Sequence, residues 1–469
     1  MVPLFLLPGL LVAALSANTA VATPPALSAA AFESTTNETI TPLGFLTGLS
    51  RSGYLFGDMW GLRPWLSQYG MSLAISETSE VLGNVTGGIK QGAAYEGLTQ
   101  MILQMDTQRA FNWYGGLFNV SGLQIHGRNL SMDNLYSLQT ASGIEADRAT
   151  RLWELWYQQK FLEEDRMDIK VGQQSLDQEF MVSQNALLFV NTMFGWPALP
   201  SYNMPGGGPA YPLSALGARL RVRPINSLTF LAGVFSGSPA PNTNPDPQKA
   251  NPSGVSFPWN GSLMIAELQY SYPSLGSMVS ADQSSSLSGT YKIGAWYNTL
   301  QFPDNGYNST SEHDGNYAFY AVMDQMIWSD PNDPDSDRTI NFFARAMGTP
   351  LQDRNLLAFS MNAGFTFHEP IRNRDDDTFG IGMGYVRVSN GVADADEAFN
   401  LNNPGSTAPV QSGETFVEVT YQYELTPWCD LQPDFQYVFN PGGGLPNPDA
   451  PGQRIKNEAV IGLRANIIF

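Results

Sequence analysis

From about residue 70 to the C-terminus the chain alternates apolar and polar side chains over and over. A period of two means β-strands whose two faces meet different surroundings. Val417, Val419, Tyr421, Tyr423 and Leu425 alternate with Glu418, Thr420, Gln422 and Glu424. Leu431, Phe435, Tyr437 and Phe439 alternate with Gln432, Asp434 and Gln436. Leu357, Phe359, Met361, Ala363, Phe365 and Phe367 alternate with Ala358, Ser360, Asn362, Gly364, Thr366 and His368. The last stretch sets Ala459, Ile461, Leu463, Ala465, Ile467 and Phe469 on one face against Arg464 and Asn466 on the other. In water such a terminal strand is a sticky edge, so its backbone edges and its apolar face both need covering. A closed barrel in lipid supplies both.

The pattern predicts strands over 71–81, 93–106, 111–125, 151–161, 166–173, 215–223, 227–236, 262–272, 289–299, 316–326, 338–347, 356–368, 377–388, 415–425, 429–439 and 458–469. The connections sort into two classes. Glu163-Glu164-Asp165, Pro224-Ile225-Asn226 and Thr426-Pro427-Trp428 are short turns, whereas 126–150, 174–214, 237–261, 389–414 and 440–457 are long. Short turns on one rim and long loops on the other is the pattern of outer-membrane barrels. The reading is therefore all-β: a transmembrane antiparallel β-barrel of about 16 strands. Two segments read as helical rather than extended. Residues 54–66 form a short N-terminal helix ending near Pro64, and 174–195 show helical spacing inside the third long loop, which is expected to fold inward and narrow the pore.

Residues 3–17 are an apolar run of secretory length, followed by Ala20-Val21-Ala22 with small residues at the cleavage positions. No Lys or Arg precedes the run, a departure from the usual leader. The expected organisation is a signal peptide over 1–22, a periplasmic N-terminal segment over 23–69 and the barrel over 70–469, in the outer membrane of a Gram-negative bacterium. No stretch approaches the ~18 consecutive apolar residues of a membrane helix, and mean hydropathy is only −0.17.

Several function classes fall away. A net charge of −19 argues against nucleic acid. The single cysteine, Cys429, and three scattered histidines, His126, His313 and His368, match no metal spacing, so neither metal nor cofactor is expected. Asp333, Asp335 and Asp337 open like a calcium loop, but Arg338 stands where the turn glycine belongs. No GxSxG elbow or nucleophile–base spacing occurs, so the chain does not read as an enzyme. A secreted or surface-exposed β-sandwich that binds glycans or adheres to partners also fits alternation. The leader, the aromatic apolar faces and the charge on the polar faces favour the barrel.

Arg219, Arg221 and Arg223 alternate with Leu216, Ala218, Leu220 and Val222. Lipid is excluded for the arginine face, because arginine at mid-bilayer costs roughly 2–4 kcal/mol in barrels. These guanidiniums are therefore expected in the lumen, with Glu179, Glu418, Glu424, Asp434 and Arg464 as further charges and Gln422, Gln432 and Gln436 as amides. Their planar forks suit vicinal hydroxyls as well as carboxylates, and a salt-bridge ladder to lumen acids is the equally weighted alternative. Trp60, Trp65, Trp156 and Trp196 are candidate aromatic platforms, although packing or an interface girdle accounts for each as well.

The segment Trp60-Gly61-Leu62-Arg63-Pro64-Trp65-Leu66, then Trp156 to Phe161, Val171-Gly172-Gln173-Gln174 with Asp177, Glu179 and Phe180, Pro212 to Arg221, and Tyr423 to Trp428 followed by Leu431 to Gly443 together resemble the carbohydrate-selective OprB porins. The resemblance spans about residues 54–469 and is most specific in its late block. It implies passive, carbohydrate-preferring diffusion of monosaccharides such as glucose through an eyelet of arginines and acids. It also implies outer-membrane lipids and the barrel-assembly machinery as partners, with Phe469 resembling the terminal assembly signal.

Overall fold

A computed structural model describes residues 53–272, 287–331, 338–372 and 374–469. The expected signal peptide, residues 23–52 and the Asp333–Asp337 triplet lie outside the described residues. The strands are β1 (Met71–Gly88), β2 (Gly92–Asp106), β3 (Gly116–Gly127), β4 (Ala149–Phe161), β5 (Met167–Gln174), β6 (Ala215–Ile225), β7 (Leu228–Ser236), β8 (Ser262–Tyr272) and β9 (Gly289–Pro303). They continue with β10 (Glu312–Ser329), β11 (Thr339–Gly348), β12 (Leu357–His368), β13 (Thr378–Val388), β14 (Gly413–Thr426), β15 (Cys429–Phe439) and β18 (Lys456–Ile468). β16 (Pro446–Asn447) and β17 (Ala450–Arg454) form a separate two-stranded ribbon in the last long loop.

β1 to β15 and β18 close a sixteen-stranded barrel in chain order. Closure runs antiparallel between β1 and β18, from Ser76↔Ile468 to Gly88↔Lys456. Alternation sets the faces as expected: in β14, Glu414, Phe416, Glu418 and Thr420 are buried inward while Tyr423 and Leu425 stand exposed outward. A bulge in β4 between its pairings to Ser121 and Gly122 leaves Trp153 unpaired. It turns both Trp153 and Glu154 to the buried side.

The inward face is not polar throughout. Leu82, Leu98, Leu123, Phe235, Leu263, Trp296, Phe343, Phe416, Val438 and Val460 are buried there by the β3–β4 loop (128–148) and the β5–β6 loop (175–214). Phe194 of the β5–β6 loop packs edge-on against Phe343 and Phe416, at centroid distances of 5.7 and 5.3 Å, and stacks with Phe189 at 4.3 Å. Each fully buried phenylalanine contributes roughly 1.5–3 kcal/mol. On β13 the inward positions Gly380 and Gly382 leave the trough this loop needs: a Cβ at Gly382 would lie 2.6 Å from Phe194 Cζ, and one at Gly380 would lie 2.7 Å from Leu188 Cδ2.

Two expectations differ in detail. Helix α1 spans Leu62–Gln68, so Pro64 lies in its first turn rather than at its end. The first turn has no intrahelical use for the N–H that proline lacks. The 174–195 segment is not one helix but three short 3₁₀ turns, 176–178, 185–188 and 192–194, followed by helix α2 (Ala198–Asn203). Its backbone polar groups are taken by side chains of the barrel wall, which displaces the i→i−4 ladder.

Candidate functional site: the loop-narrowed lumen

The β5–β6 loop is held by an array of wall side chains. Glu267 of β8 accepts from Met181 N at 2.8 Å. Asp324 of β10 accepts from Ser183 Oγ at 2.6 Å and from the backbone N–H groups of Gln184 and Asn185 at 3.2 and 3.3 Å. Glu418 of β14 accepts from Val190 N at 2.6 Å and Asn191 N at 3.0 Å. From β11, Arg345 donates to four loop carbonyls: Met181 and Gly195 through Nη1 at 2.7 and 2.8 Å, and Met193 and Phe194 through Nη2 at 2.6 and 3.0 Å. Glu414 performs the same service for the β3–β4 loop, accepting from Leu138 N and Gln139 N at 2.7 Å each. Charge-assisted bonds of this type are the strong ones, so both loops are fixed in the lumen.

Below the loop, on the side of the short turns, a charged cluster joins β5, β6 and the loop. Asp168 receives Arg219 and, at 2.5 Å, Arg221 Nε. Glu179 receives Lys170 and, at 2.5 Å, Arg219 Nε. Lys170 Nζ also sits 4.5 Å from the Trp156 ring centroid, a cation–π contact. Three cations, Lys170, Arg219 and Arg221, share two carboxylates in these ion pairs, and the buried Glu154 of β4 interacts with Lys170 as a third acid. The Arg219 side chain is only 3% exposed and serves the carboxylates, while that of Arg221 is 40% exposed to the lumen. Burial pushes the Glu179 carboxyl up, but Lys170 and Arg219 outweigh it and hold the group down at about 2. Burial also pushes Asp177 up, to about 7, against hydrogen bonds from Ser175 and the Tyr211 N–H.

Diametrically across the ring, β12 to β15 and β18 carry a different chemistry. A cavity of about 380 Å³ is lined there by Gln184, Asn185, Leu187 and Leu188 from the loop and by Thr366, His368, Thr378, Gln422, Gln432, Arg464 and Asn466 from the wall. Arg464 is neutralised by Glu80 at 2.8 Å. The cavity therefore offers amides and hydroxyls, with two leucines as an apolar floor. Its volume falls in the roughly 300–1,000 Å³ range of small-molecule sites.

The expected lumen residues separate accordingly. Arg221, Gln422 and Arg464 stand at the open space beneath the loop. Glu418, Gln436 and Asp434 are sealed behind loop backbone instead of facing open lumen. Gln436 donates to Ala141 O at 2.7 Å and accepts from Asn191 Nδ2 at 3.0 Å. Arg223 bonds the Glu164 carbonyl at the short-turn rim at 2.9 Å. Glu424 lies at the same rim, its N–H on Asp377 at 3.0 Å. Trp60 and Trp65 are exposed at the end of the barrel where β1 begins, and Trp196 is buried with Nε1 on Gly207 O at 2.9 Å. None of the three reaches the cavity. The Phe469 ring stacks on Phe56 at 5.3 Å, and Arg63 donates to the Phe469 backbone oxygen.

Asp168, Lys170 and Arg345 were not among the expected site residues. The rule that flagged Arg219 applies to Arg345 too: a lone arginine alternating with Phe342, Ala344 and Ala346 cannot face lipid. Gln184, Asn185, Leu187 and Leu188 had no such signal, because their role depends on how the loop folds.

Comparison with known proteins places this architecture. A family model described as carbohydrate-selective porin, OprB family, matches residues 90–469. Porin B of Pseudomonas aeruginosa is 22% identical over 452 residues, covering 89% of this chain and 92% of its own length. The high-pH structure of Pseudomonas putida OprB superposes with a TM-score of 0.76 at 22% identity, covering 90% of this chain and 99% of that one. The low-pH structure of the same protein gives 0.53 at 16% identity over 90% of this chain and 99% of that one.

Proposed function

The chain belongs to the carbohydrate-selective OprB porin family, and from that premise we propose a division of labour beneath its folded-in loop: the cavity takes the sugar ring and Arg221 guides its hydroxyls. The protein is an outer-membrane porin of a Gram-negative bacterium for the diffusion of sugars. Transport is passive, without chemical turnover, and monosaccharides such as glucose are the preferred solutes.

The observation that carries the proposal is the lining of the cavity. Gln422, Gln432, Asn466, Thr366 and Thr378 offer donors and acceptors of moderate strength, and Leu187 and Leu188 offer a surface for the C–H face of a sugar ring. A solute that must leave as readily as it enters suits many moderate contacts rather than a few strong ones. Across the ring, Arg221 spends Nε on Asp168 and keeps its terminal fork for hydroxyl pairs. Lipids surround the barrel, and the assembly machinery reads the terminal strand with Phe469.

Current block by glucose in single channels tests the proposal. Arg221→Ala and Gln422→Leu are each expected to weaken the block and to leave the barrel heat-modifiable in SDS. Block unchanged in both variants would remove these residues from the sugar path.

A further inference from the structure

The seam where β1 meets β18 loses its register at the rim of the long loops. Asn84 pairs with Val460, Thr86 with Ala459 and Gly88 with Lys456, so in the last step Asn457 and Glu458 of β18 stand against Gly87 alone. Two residues against one make a bulge, and bulges re-aim side chains. The side chain concerned is that of Glu458. It has no partner across the seam, lies opposite Val438 on β15, and is wholly buried.

Neither carboxyl oxygen of Glu458 meets a hydrogen-bond donor among the described residues. Lys90 and Lys456, which flank the bulge, are exposed. Glu414 lies within electrostatic reach and only adds negative charge, since it already accepts the N–H groups of Leu138, Gln139 and Gly442 at 2.7, 2.7 and 2.6 Å. Beside Glu458 is a second unmatched acceptor. Asn84 is buried, and its Nδ2 donates to the carbonyls of Gly87 and Lys90 at 3.0 Å each, but its Oδ1 has no partner. Both side chains border Gly88. A Cβ there would lie 2.6 Å from Asn84 Nδ2, 3.4 Å from Glu458 Oε1 and 2.5 Å from the Asn134 carbonyl oxygen, and the backbone at Gly88 is left-handed, with φ +64°. Only glycine keeps the space between these oxygens open. Buried charges in proteins are paired or coordinate a metal, and here no pairing cation is present among the described residues.

We infer that Glu458 and Asn84 hold a calcium ion at the loop end of the closure seam. Every unmatched atom at the site is an oxygen, the ligand type of a hard cation, and carboxylate with amide and backbone carbonyl is a calcium set. A proton shared by Glu458 and Asn84 leaves one carboxyl oxygen unmatched, whereas calcium takes both carboxyl oxygens and the amide oxygen together. Its two charges offset those of Glu458 and Glu414. Magnesium suits the site less, because it demands near-ideal octahedral geometry and dehydrates reluctantly. The ion would tie three segments: β18 through Glu458, the end of β1 through Asn84, and the β3–β4 loop through Asn134, whose carbonyl accepts from Ile89 N and Lys90 N at 3.0 and 3.1 Å. One carboxylate and one amide from opposite ends of the chain form no local motif, so sequence spacing gives no sign of the site.

Calorimetric titration of calcium chloride into the full chain, folded in detergent without lipopolysaccharide and freed of metal with a chelator, tests this. The wild type is expected to bind one calcium per chain with a dissociation constant of roughly 10⁻⁴–10⁻³ M, the range of extracellular calcium modules. Millimolar calcium should also raise the temperature at which the folded barrel converts to the slow-migrating form in SDS. Glu458→Gln, nearly the same shape without the charge, is expected to weaken binding at least tenfold and to abolish that rise, whereas Glu397→Gln, an exposed acid on another loop, should change neither. A wild type that binds no calcium overturns the inference whatever the variants do. So does binding that Glu458→Gln leaves intact, or binding that Glu397→Gln removes.

Discussion

Arg345 is the point where removal of one side chain should open the channel. It is buried, and its guanidinium donates to the carbonyls of Met181, Met193, Phe194 and Gly195 across the turn of the β5–β6 loop. In Arg345→Met the Met193 carbonyl keeps Asn362 Nδ2 at 2.6 Å, but the other three lose this donor. An unsatisfied buried carbonyl costs about 1–3 kcal/mol, which gives roughly 3–9 kcal/mol for the three before water re-enters. The lower figure alone shifts the equilibrium for loop release by roughly a hundredfold. Arg345→Lys keeps the charge but concentrates its donors at one point, so it should fall between the two. Planar-bilayer recording is the assay: Arg345→Met is expected to show larger, noisier conductance and weak glucose block, with Arg345→Lys intermediate. The barrel itself, checked by heat-modifiability, should survive, because β11 keeps its backbone pairing to β10 and β12. Wild-type conductance and block in a folded Arg345→Met channel would refute the reasoning that this guanidinium holds the loop.

Other expectations follow from the same geometry. Glu179 is held down at about 2, so its bond to the cluster contributes fully above its ordinary value of 4.5 and is lost as the pH falls toward about 2. Glu179→Gln should therefore shift the reversal potential toward anion selectivity, with a difference from wild type that persists from pH 8 to pH 5 and closes only near about 2. Gly382→Val places side-chain carbon where Phe194 sits, and overpacking of this kind costs about 1–3 kcal/mol. Raised conductance with an intact barrel is the expected readout. Phe469→Ser should lower the amount of assembled barrel in outer membranes, measured by heat-modifiable protein in the membrane fraction, and unchanged assembly would exclude Phe469 as the signal.

The strands were legible because their period is local. The expected 356–368 and 429–439 fall within a residue of β12 and β15 as observed. Arg221 and Gln422 were legible for the same reason, since parity alone decides which face they take. The acids were harder. Glu418 lies on the polar face as parity requires, but its partners are Val190 and Asn191, more than 200 positions earlier. No local pattern distinguishes a carboxylate that holds a loop from one that meets solute. Val460 shows the converse: parity puts it inside among Glu458 and Arg464, and its apolar character makes sense only once Val190 and Ala141 are seen packed on it. No local pattern tells which inward positions a loop from elsewhere in the chain will cover.

Liposome swelling with the purified protein reads the whole chain of argument at once. Proteoliposomes are expected to swell faster in glucose and other monosaccharides than in amino acids of similar size, and Arg221→Ala should narrow that difference. Equal rates for sugars and amino acids of matched size, or no swelling in any monosaccharide, would contradict a sugar-preferring path beneath the β5–β6 loop.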